Sequence, residues 1–551
     1  MTGPQPPSRV LARKAVVCLC AKARGLALAS LWIVALGTPH ATLAVTTRVG
    51  CAALSTLELG HVRVLEAKEI GLDTFVAPDA SRHDVPEFCR AQGESRPTGD
   101  SQIRFELWMP VKGWNGRYYQ LGNGGYAGSI PYALMAAELR RGNAVAATDT
   151  GHVGDAFDAS WALGHPERII DYGSRSLKET AEAARALVRA YYGTNAERKY
   201  FVGCSNGGRQ ALLLAQRFPA DWDGILAGAP ALNWTRQLAS FAWYQQALRS
   251  DPESWVDPGA LSTVQQLAIA SCTQAARVVD GVPTDPRHCR FDAAAYVCNG
   301  ERTRQCLTSK QATALKLLQD GPADPRSGVR LYFGFEATAA AVPGNWDRWI
   351  VNADRNAPSQ RLLSEQFFRH MVFADANWQL EQFDASRDFD LAQRRQVLGD
   401  ASLESVLNAT DDDLSAFARR DAKLLMYAGW ADALISPRAV VAYYEAVVAR
   451  MGREPAQRFI RLFMVPGMTH CQGGPGPHVF GQSALTSGLV DDEAHDARRA
   501  LETWVEHGRA PLSLVAAKYV NDDPAQGVAK TAVLCPFPNT DHCQANKGRK
   551  P

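Results

Sequence analysis

The chain has 551 residues, 46% of them apolar and 21% charged, a balance that supports a large buried core and excludes disorder as a description of the whole. The formal charge is only +2 and the Lys and Arg residues are scattered along the chain, which excludes nucleic acid as an expected partner.

At the N-terminus Arg9, Arg13, Lys14, Lys22 and Arg24 precede an apolar run from Gly25 to Gly37, and small residues follow as far as Ala44. This is the pattern of an export signal over residues 1–44, which makes the mature protein secreted or periplasmic. The run is shorter than the ~20 residues that span a bilayer, so no stable membrane insertion is expected after the signal is removed. Two of the twelve cysteines fall in the signal and ten remain, an even number that suits an oxidising compartment. No C-x-x-C spacing occurs, which argues against zinc.

From Ile103 to Asp149 short apolar runs alternate with Gly, Pro and Asn turns, the signature of strands. A helix is predicted over about 176–192, where Leu177, Ala181, Ala184, Leu187 and Val188 recur at helical spacing. The strand KYFVG, the turn at Ser205, the helix GGRQALLLAQRFP and the strand GILAGAP come next. Such strand–helix–strand alternation predicts parallel pairing in an α/β sheet. From 232 to 405 the chain changes character, with four cysteines, many Trp and Phe residues and few clear strands, and reads as an inserted lid. The α/β pattern resumes with AKLLMYAGWAD, a helix around 439–450, the strand RFIRLFMVPG and a helix near 492–506. The organisation is thus a first core segment over 45–231, the lid over 232–405 and a second core segment over 406–551, with a loose tail from about 545.

Gly203-Cys204-Ser205-Asn206-Gly207 has the G-x-S-x-G form, with an apolar strand leading in and a helix leading out. That context is the nucleophile elbow of an α/β-hydrolase, whose serine stands at a helix N-terminus where backbone N–H groups favour an oxyanion. Serine needs a general base, and the base an orienting acid, in the order Ser, Asp, His along the chain. Asp432 fits the acid and His470 the base, because each lies in the loop after an apolar strand. His152, in DTGH, also follows a strand but precedes Ser205, and reads as a structural or pocket-wall residue. If Ser205 and His470 come within hydrogen-bond reach, their neighbours Cys204 and Cys471 are also adjacent, and a disulfide needs Cα atoms only ~5.5–6 Å apart. The oxyanion donors are expected to be the N–H of Asn206 and one from the loop Gly122-Asn123-Gly124-Gly125, taken as Gly125 or a residue one position away.

GCSNGGRQALLLAQRFPADWDGILAGAP, GWADALISP and PGMTHCQGGPG, with GNGGYAG, ATDTGH, SWALGHPERIIDYGSRS and LCPFPN, closely resemble the tannase/feruloyl esterase family, which includes mono(2-hydroxyethyl) terephthalate hydrolases. The resemblance spans nearly the whole mature chain. It implies an α/β-hydrolase core with a large lid that shapes a pocket for a small aromatic ester of feruloyl, galloyl or terephthaloyl type, and a serine esterase that requires no cofactor. It also implies the disulfides Cys51–Cys89, Cys272–Cys289, Cys298–Cys306 and Cys535–Cys543. Members of the family carry a calcium loop, C-D-x-x-D-G-V-x-D-G-x-I, but here Thr273 and Ala276 replace the first two acids. Only Asp280 is left, with the carbonyls of Val278 and Val282, against the six to eight oxygens calcium takes, so a degenerate loop held by its disulfide is expected. In the lid Tyr332, Phe333, Phe335, Trp346, Trp349, Phe367, Phe368 and Phe373 are pocket candidates, most of them expected to be lid core. Arg348 and Arg369 are candidates for pairing with a substrate carboxylate. A serine peptidase on the same fold and a non-catalytic binding protein are the rival readings.

Overall fold

The central strands of the chain are apolar at nearly every position, as strands covered on both faces must be. In the computed structural model, which describes residues 48–539 except 302, 304 and 484–488, together with Cys543, they form one nine-stranded sheet. The predicted signal over 1–44 and the tail after 545 lie outside the described residues.

The sheet strands are β1 (Val62–Ile70), β2 (Phe88–Ser95), β3 (Ile103–Pro110), β4 (Arg117–Leu121), β5 (Ala144–Thr148), β6 (Arg198–Cys204), β7 (Gly224–Gly228), β8 (Lys423–Gly429) and β9 (Ile460–Val465). Their order across the sheet is β1-β2-β3-β5-β4-β6-β7-β8-β9. From β5 to β9 every pairing is parallel, while β1, β2, β3 and β5 pair antiparallel. The parallel part is the one expected from the alternating pattern, and the antiparallel margin makes the sheet mixed. This is an α/β-hydrolase core.

Strand residues alternate between two hydrophobic layers. Tyr118, Phe201, Leu424 and Met426 face one layer, and Tyr119, Tyr200, Leu425 and Tyr427 face the other. Helices cover both layers, as a sheet buried on both faces requires. On the first lie α2 (Ser176–Tyr192), α3 (Asn206–Arg217) and α6 (Pro437–Met451); on the second lie α1 (Tyr132–Arg140) and α7 (Ala497–His507). Helix α2 has its predicted bounds and stops at Gly193, whose φ of 77° provides the left-handed residue that ends many helices.

The connection between β7 and β8 holds the inserted segment, and it contributes no strand to the main sheet. Its two ends meet, with Ala409 N–H donating to the carbonyl of Leu232 (2.7 Å). Helices α4 (Trp234–Arg249) and α5 (Ser359–Phe367) are its main apolar elements, and their buried residues belong to the same core as α2 and α3. All five disulfides are formed among the described residues: Cys51–Cys89, Cys204–Cys471, Cys272–Cys289, Cys298–Cys306 and Cys535–Cys543. No helix among the described residues is long and apolar enough to cross a membrane.

Candidate active site

Strand β6 runs directly into α3 with Ser205 between them at φ 65°, ψ −123°. A non-glycine residue in that region costs ~1–3 kcal/mol, and the surroundings must hold it there. Ser205 N–H donates to Gly228 O (3.0 Å), and its own carbonyl accepts from Ala231 N–H (3.1 Å) and Arg209 N–H (3.0 Å). The glycines are required by close approach: a Cβ on Gly203 would lie 2.4 Å from Gly207 O, and one on Gly208 2.2 Å from Gly228 O.

Asp432 sits in the turn after β8, buried, with Oδ1 accepting from the N–H groups of Leu434 (2.8 Å) and Ile435 (2.9 Å). Its Oδ2 lies 2.9 Å from Nδ1 of His470, which is carried by the loop after β9. With Nδ1 facing the carboxylate, Nε2 is the ring nitrogen left for other work. Cys471 has φ 64° and is bonded to Cys204 with Cα atoms 6.0 Å apart, so the loop carrying His470 is covalently joined to the turn at Ser205. Ser205 and His470 line one cavity, although no hydrogen bond joins them here; such contacts often close only around a substrate. The Trp349 ring meets that of His470 edge-on at 5.7 Å.

The Gly-rich loop lies beside the elbow. Asn123 N–H donates to Gln210 Oε1 (3.0 Å), while Asn123 Nδ2 donates to the carbonyls of Ser129 and Thr148 (2.8 Å each). Gly125 has φ +52°, and a Cβ there would lie 2.3 Å from Ala156 O, so only glycine fits. Gly124 and Gly125 both line the cavity, and neither N–H has a hydrogen-bond partner among the described residues. His152 stands behind this loop with Nε2 2.7 Å from Tyr126 O and its ring stacked 4.0 Å from Trp161; burial pushes its pKa down to about 4. It is a neutral supporting residue, as its position in the chain suggests.

The family description "Tannase and feruloyl esterase" matches residues 89–549. The chain belongs to that family. It is 42% identical over 506 residues to an uncharacterized esterase of Xanthomonas campestris pv. campestris, covering 89% of this chain and 88% of the relative. It is 31% identical over 519 residues to the mono(2-hydroxyethyl) terephthalate hydrolase of Piscinibacter sakaiensis, covering 83% of each. The solved structure of feruloyl esterase B from Aspergillus oryzae superimposes with a TM-score of 0.79 at 25% identity, covering 89% of this chain and 95% of that one. The protein is therefore a carboxylic ester hydrolase.

In this tannase-family enzyme the cavity measures about 270 Å³, and its walls are Phe157, Trp234, Leu238, Phe241, Trp349, Leu363, Leu434 and Ile435, with Gln237 and Arg348 as polar members. Of the inserted-segment candidates only Trp349 and Arg348 reach it. Tyr332, Phe335, Trp346, Phe367 and Phe368 are buried packing residues, and Phe333 and Phe373 do not line the cavity. Arg369 is turned to Trp378 O (2.6 Å) and Glu365 (3.5 Å). Trp234, Gln237, Leu238 and Phe241 were not singled out from the sequence. They recur at i, i+3, i+4 and i+7 on α4, a stripe that from sequence alone reads as helix core.

The insert is fastened around Asp432: Asn345 Nδ2 donates to Ala431 O and Gln360 Nε2 to Ala433 O, both at 2.9 Å. The loop around Asp280 does not fit calcium. Asp280 and Gly281 have φ of 50° and 76° and form the turn of a small hairpin, pairing Val279 with Val282, a conformation that Asp-Gly favours. The Asp280 carboxylate is exposed and pairs with Lys530 at 3.3 Å. Among the described residues no group of three or more His, Cys, Asp or Glu is placed to hold a metal ion.

Proposed function

We propose that the protein is an exported serine esterase that hydrolyses esters of aromatic acids through an acyl-enzyme. The observation that carries the reading is the convergence of Ser205 and His470 on one aromatic-walled cavity, with Asp432 bonded to His470 from behind. His470 Nε2 takes the Ser205 proton as Oγ attacks the ester carbonyl, and the amides of Asn206 and Gly125, or its neighbour Gly124, receive the oxyanion. His470 then returns the proton to the departing alcohol. Water, deprotonated in turn by His470, cleaves the acyl-enzyme and frees the acid and Ser205. Asp432 keeps the imidazole oriented and balances its charge while it is protonated.

An aromatic acyl group suits walls built from Phe157, Trp234, Phe241 and Trp349. The relatives named for feruloyl esters and for mono(2-hydroxyethyl) terephthalate point the same way. Export is supported by the N-terminal pattern and by the pairing of all ten cysteines outside it. The inserted segment 232–405 acts as the lid that supplies most of the acyl pocket.

The test is a panel of feruloyl, galloyl and terephthaloyl esters with wild type and Ser205→Ala, together with a fluorophosphonate probe. The wild type should be labelled and cleave at least one ester class, and Ser205→Ala should lose both properties with its fold intact. An active Ser205→Ala enzyme would refute the mechanism, and faster cleavage of a matched amide than of its ester would favour a peptidase.

A further inference from the structure

Helix α4 turns Trp234, Gln237, Leu238 and Phe241 to the cavity, and in that stripe Gln237 is the one polar residue. It is 2% exposed, as deeply placed as the apolar residues beside it. Its carboxamide is oriented from one side: the buried Tyr332 hydroxyl donates to Oε1 at 3.3 Å. The other half, the NH2 group, has no hydrogen-bond partner among the described residues, and the space next to it is the cavity. Trp234, Leu238, Phe241, Leu363 and Ile435, which share this wall, carry no side-chain acceptor. A leucine would match the rest of this wall and leave only the Tyr332 hydroxyl without its acceptor. A glutamine with one half anchored and the other bare is a donor that lacks its acceptor.

We infer that Gln237 is a specificity-determining residue, whose NH2 group donates to an oxygen substituent on the aromatic ring of the acyl group. This rests on the aromatic-ester reading above and assigns within it the residue that reads the hydroxyl, methoxy or carboxylate oxygen on the ring. Without the oxygen, a bound ring would seal the donor away from water unpaired, and sites built to hydrogen-bond a substrate reject the analogue that lacks the group. Gln237 touches the substrate remote from the ester, and Ser205 and His470 still perform the chemistry.

The experiment compares kcat/KM for methyl cinnamate and methyl benzoate with their 3- and 4-hydroxy and methoxy derivatives, in wild type, Gln237→Leu and Gln237→Met. The readout is the ratio of the best oxygenated ester to its bare partner within each enzyme, so a general loss of activity or folding cancels. The ratio should fall about tenfold or more in both variants. A ratio within about threefold of wild type in either variant would overturn the inference and leave the aromatic-ester reading standing. Variants inactive on every ester would also overturn it, assigning Gln237 a structural role. If the wild type itself cleaves none of these esters, the aromatic-ester reading fails, and the inference with it.

Discussion

Removing the Cys204–Cys471 bridge tests whether it serves catalysis beyond stability. Strands β6 and β9 are separated in the sheet by β7 and β8, so they lie three strand spacings, about 14 Å, apart. The loop after β9 must therefore travel back over the sheet end to bring the two cysteine Cα atoms within 6.0 Å. Part of that path is held without the bridge: Met468 O accepts from Ala431 N–H (3.0 Å), and the turn closes on itself through Thr469 N–H to Gly473 O (3.1 Å). From His470 onward the disulfide is the link to the elbow. The cysteines are 267 residues apart, for which chain entropy gives a ceiling of about 5.6 kcal/mol, with ~2–5 kcal/mol typical for a native bridge. The control is Cys51–Cys89, 38 residues apart and far from the site, with a ceiling of about 3.9 kcal/mol. In Cys204→Ala/Cys471→Ala, kcat on a chromogenic aryl ester should fall about 100-fold under conditions where denaturation curves show the protein folded, because an ångström of misplacement at the base costs that much. Cys51→Ala/Cys89→Ala should lose stability and keep its kcat. If kcat stays within about threefold of wild type in both, the bridge is a stability device only and the argument is wrong.

Two further predictions concern buried charge. Arg209 is fully buried and donates to Asn206 Oδ1 (2.7 Å), Leu407 O (2.9 Å), Tyr172 O (3.2 Å) and Gly173 O (3.4 Å), over the rings of Tyr172 and Trp234. Arg209→Met removes every one of these donors, and the stranded acceptors should lower the unfolding free energy by at least about 3 kcal/mol in urea; a loss under about 1 kcal/mol would refute this. Asp149 is buried, and burial pushes its pKa up to about 7, opposed by the N–H groups of Gly151 and Arg104 (2.9 Å each) and the Arg104 charge and reinforced by Asp171. The native state then holds this proton more tightly than the unfolded chain, so stability is fully present below about pH 4 and falls as pH rises to about 7, by roughly 4 kcal/mol at most. Asp149→Asn keeps an Oδ1 for both N–H groups and has no proton to lose. It should gain on wild type at pH 8 and not at pH 4, and an equal difference at both pH values would refute the sign.

The positions of Ser205, Asp432 and His470 after their strands and the parallel half of the sheet were legible in the sequence because both are local patterns. An apolar run ending in a turn names the strand and the residue at its tip, which is how Ser205, Asp432 and His470 were found. Strands β1 and β2 were missed for a physical reason. VRVLEAKEI is an edge strand with most of its residues in contact with water, and FCRAQGES buries Arg90 by pairing it with Glu106, so neither reads as an apolar run. The pocket wall was illegible for a different reason. Helix α4 shows the same i, i+3, i+4, i+7 spacing whether that stripe meets a neighbouring helix or an empty cavity, and periodicity carries no sign of which. In the insert, aromatic composition pointed to eight residues and only Trp349 reaches the cavity, because aromatics serve packing far more often than binding.

This division follows from how the site is assembled. Ser205, Asp432 and His470 stand in the turns and loop that follow β6, β8 and β9, so their placement is a consequence of sheet order, which local sequence encodes. Much of the cavity wall comes from the segment between β7 and β8, and its register against the core is set by long-range bonds. Asn345 to Ala431 and Gln360 to Ala433 bracket Asp432, Tyr126 OH reaches Leu363 O (2.9 Å), and Ser436 Oγ reaches Gly334 O (2.7 Å). Because the bonds that seat the wall also flank the acid, substitutions that loosen the insert should act on kcat as well as KM. A change such as Gln237→Leu, which alters one group facing the cavity and none of these bonds, should act on the choice of substrate. The two classes of residue are thereby separable by kinetics, although they share one helix-rich segment.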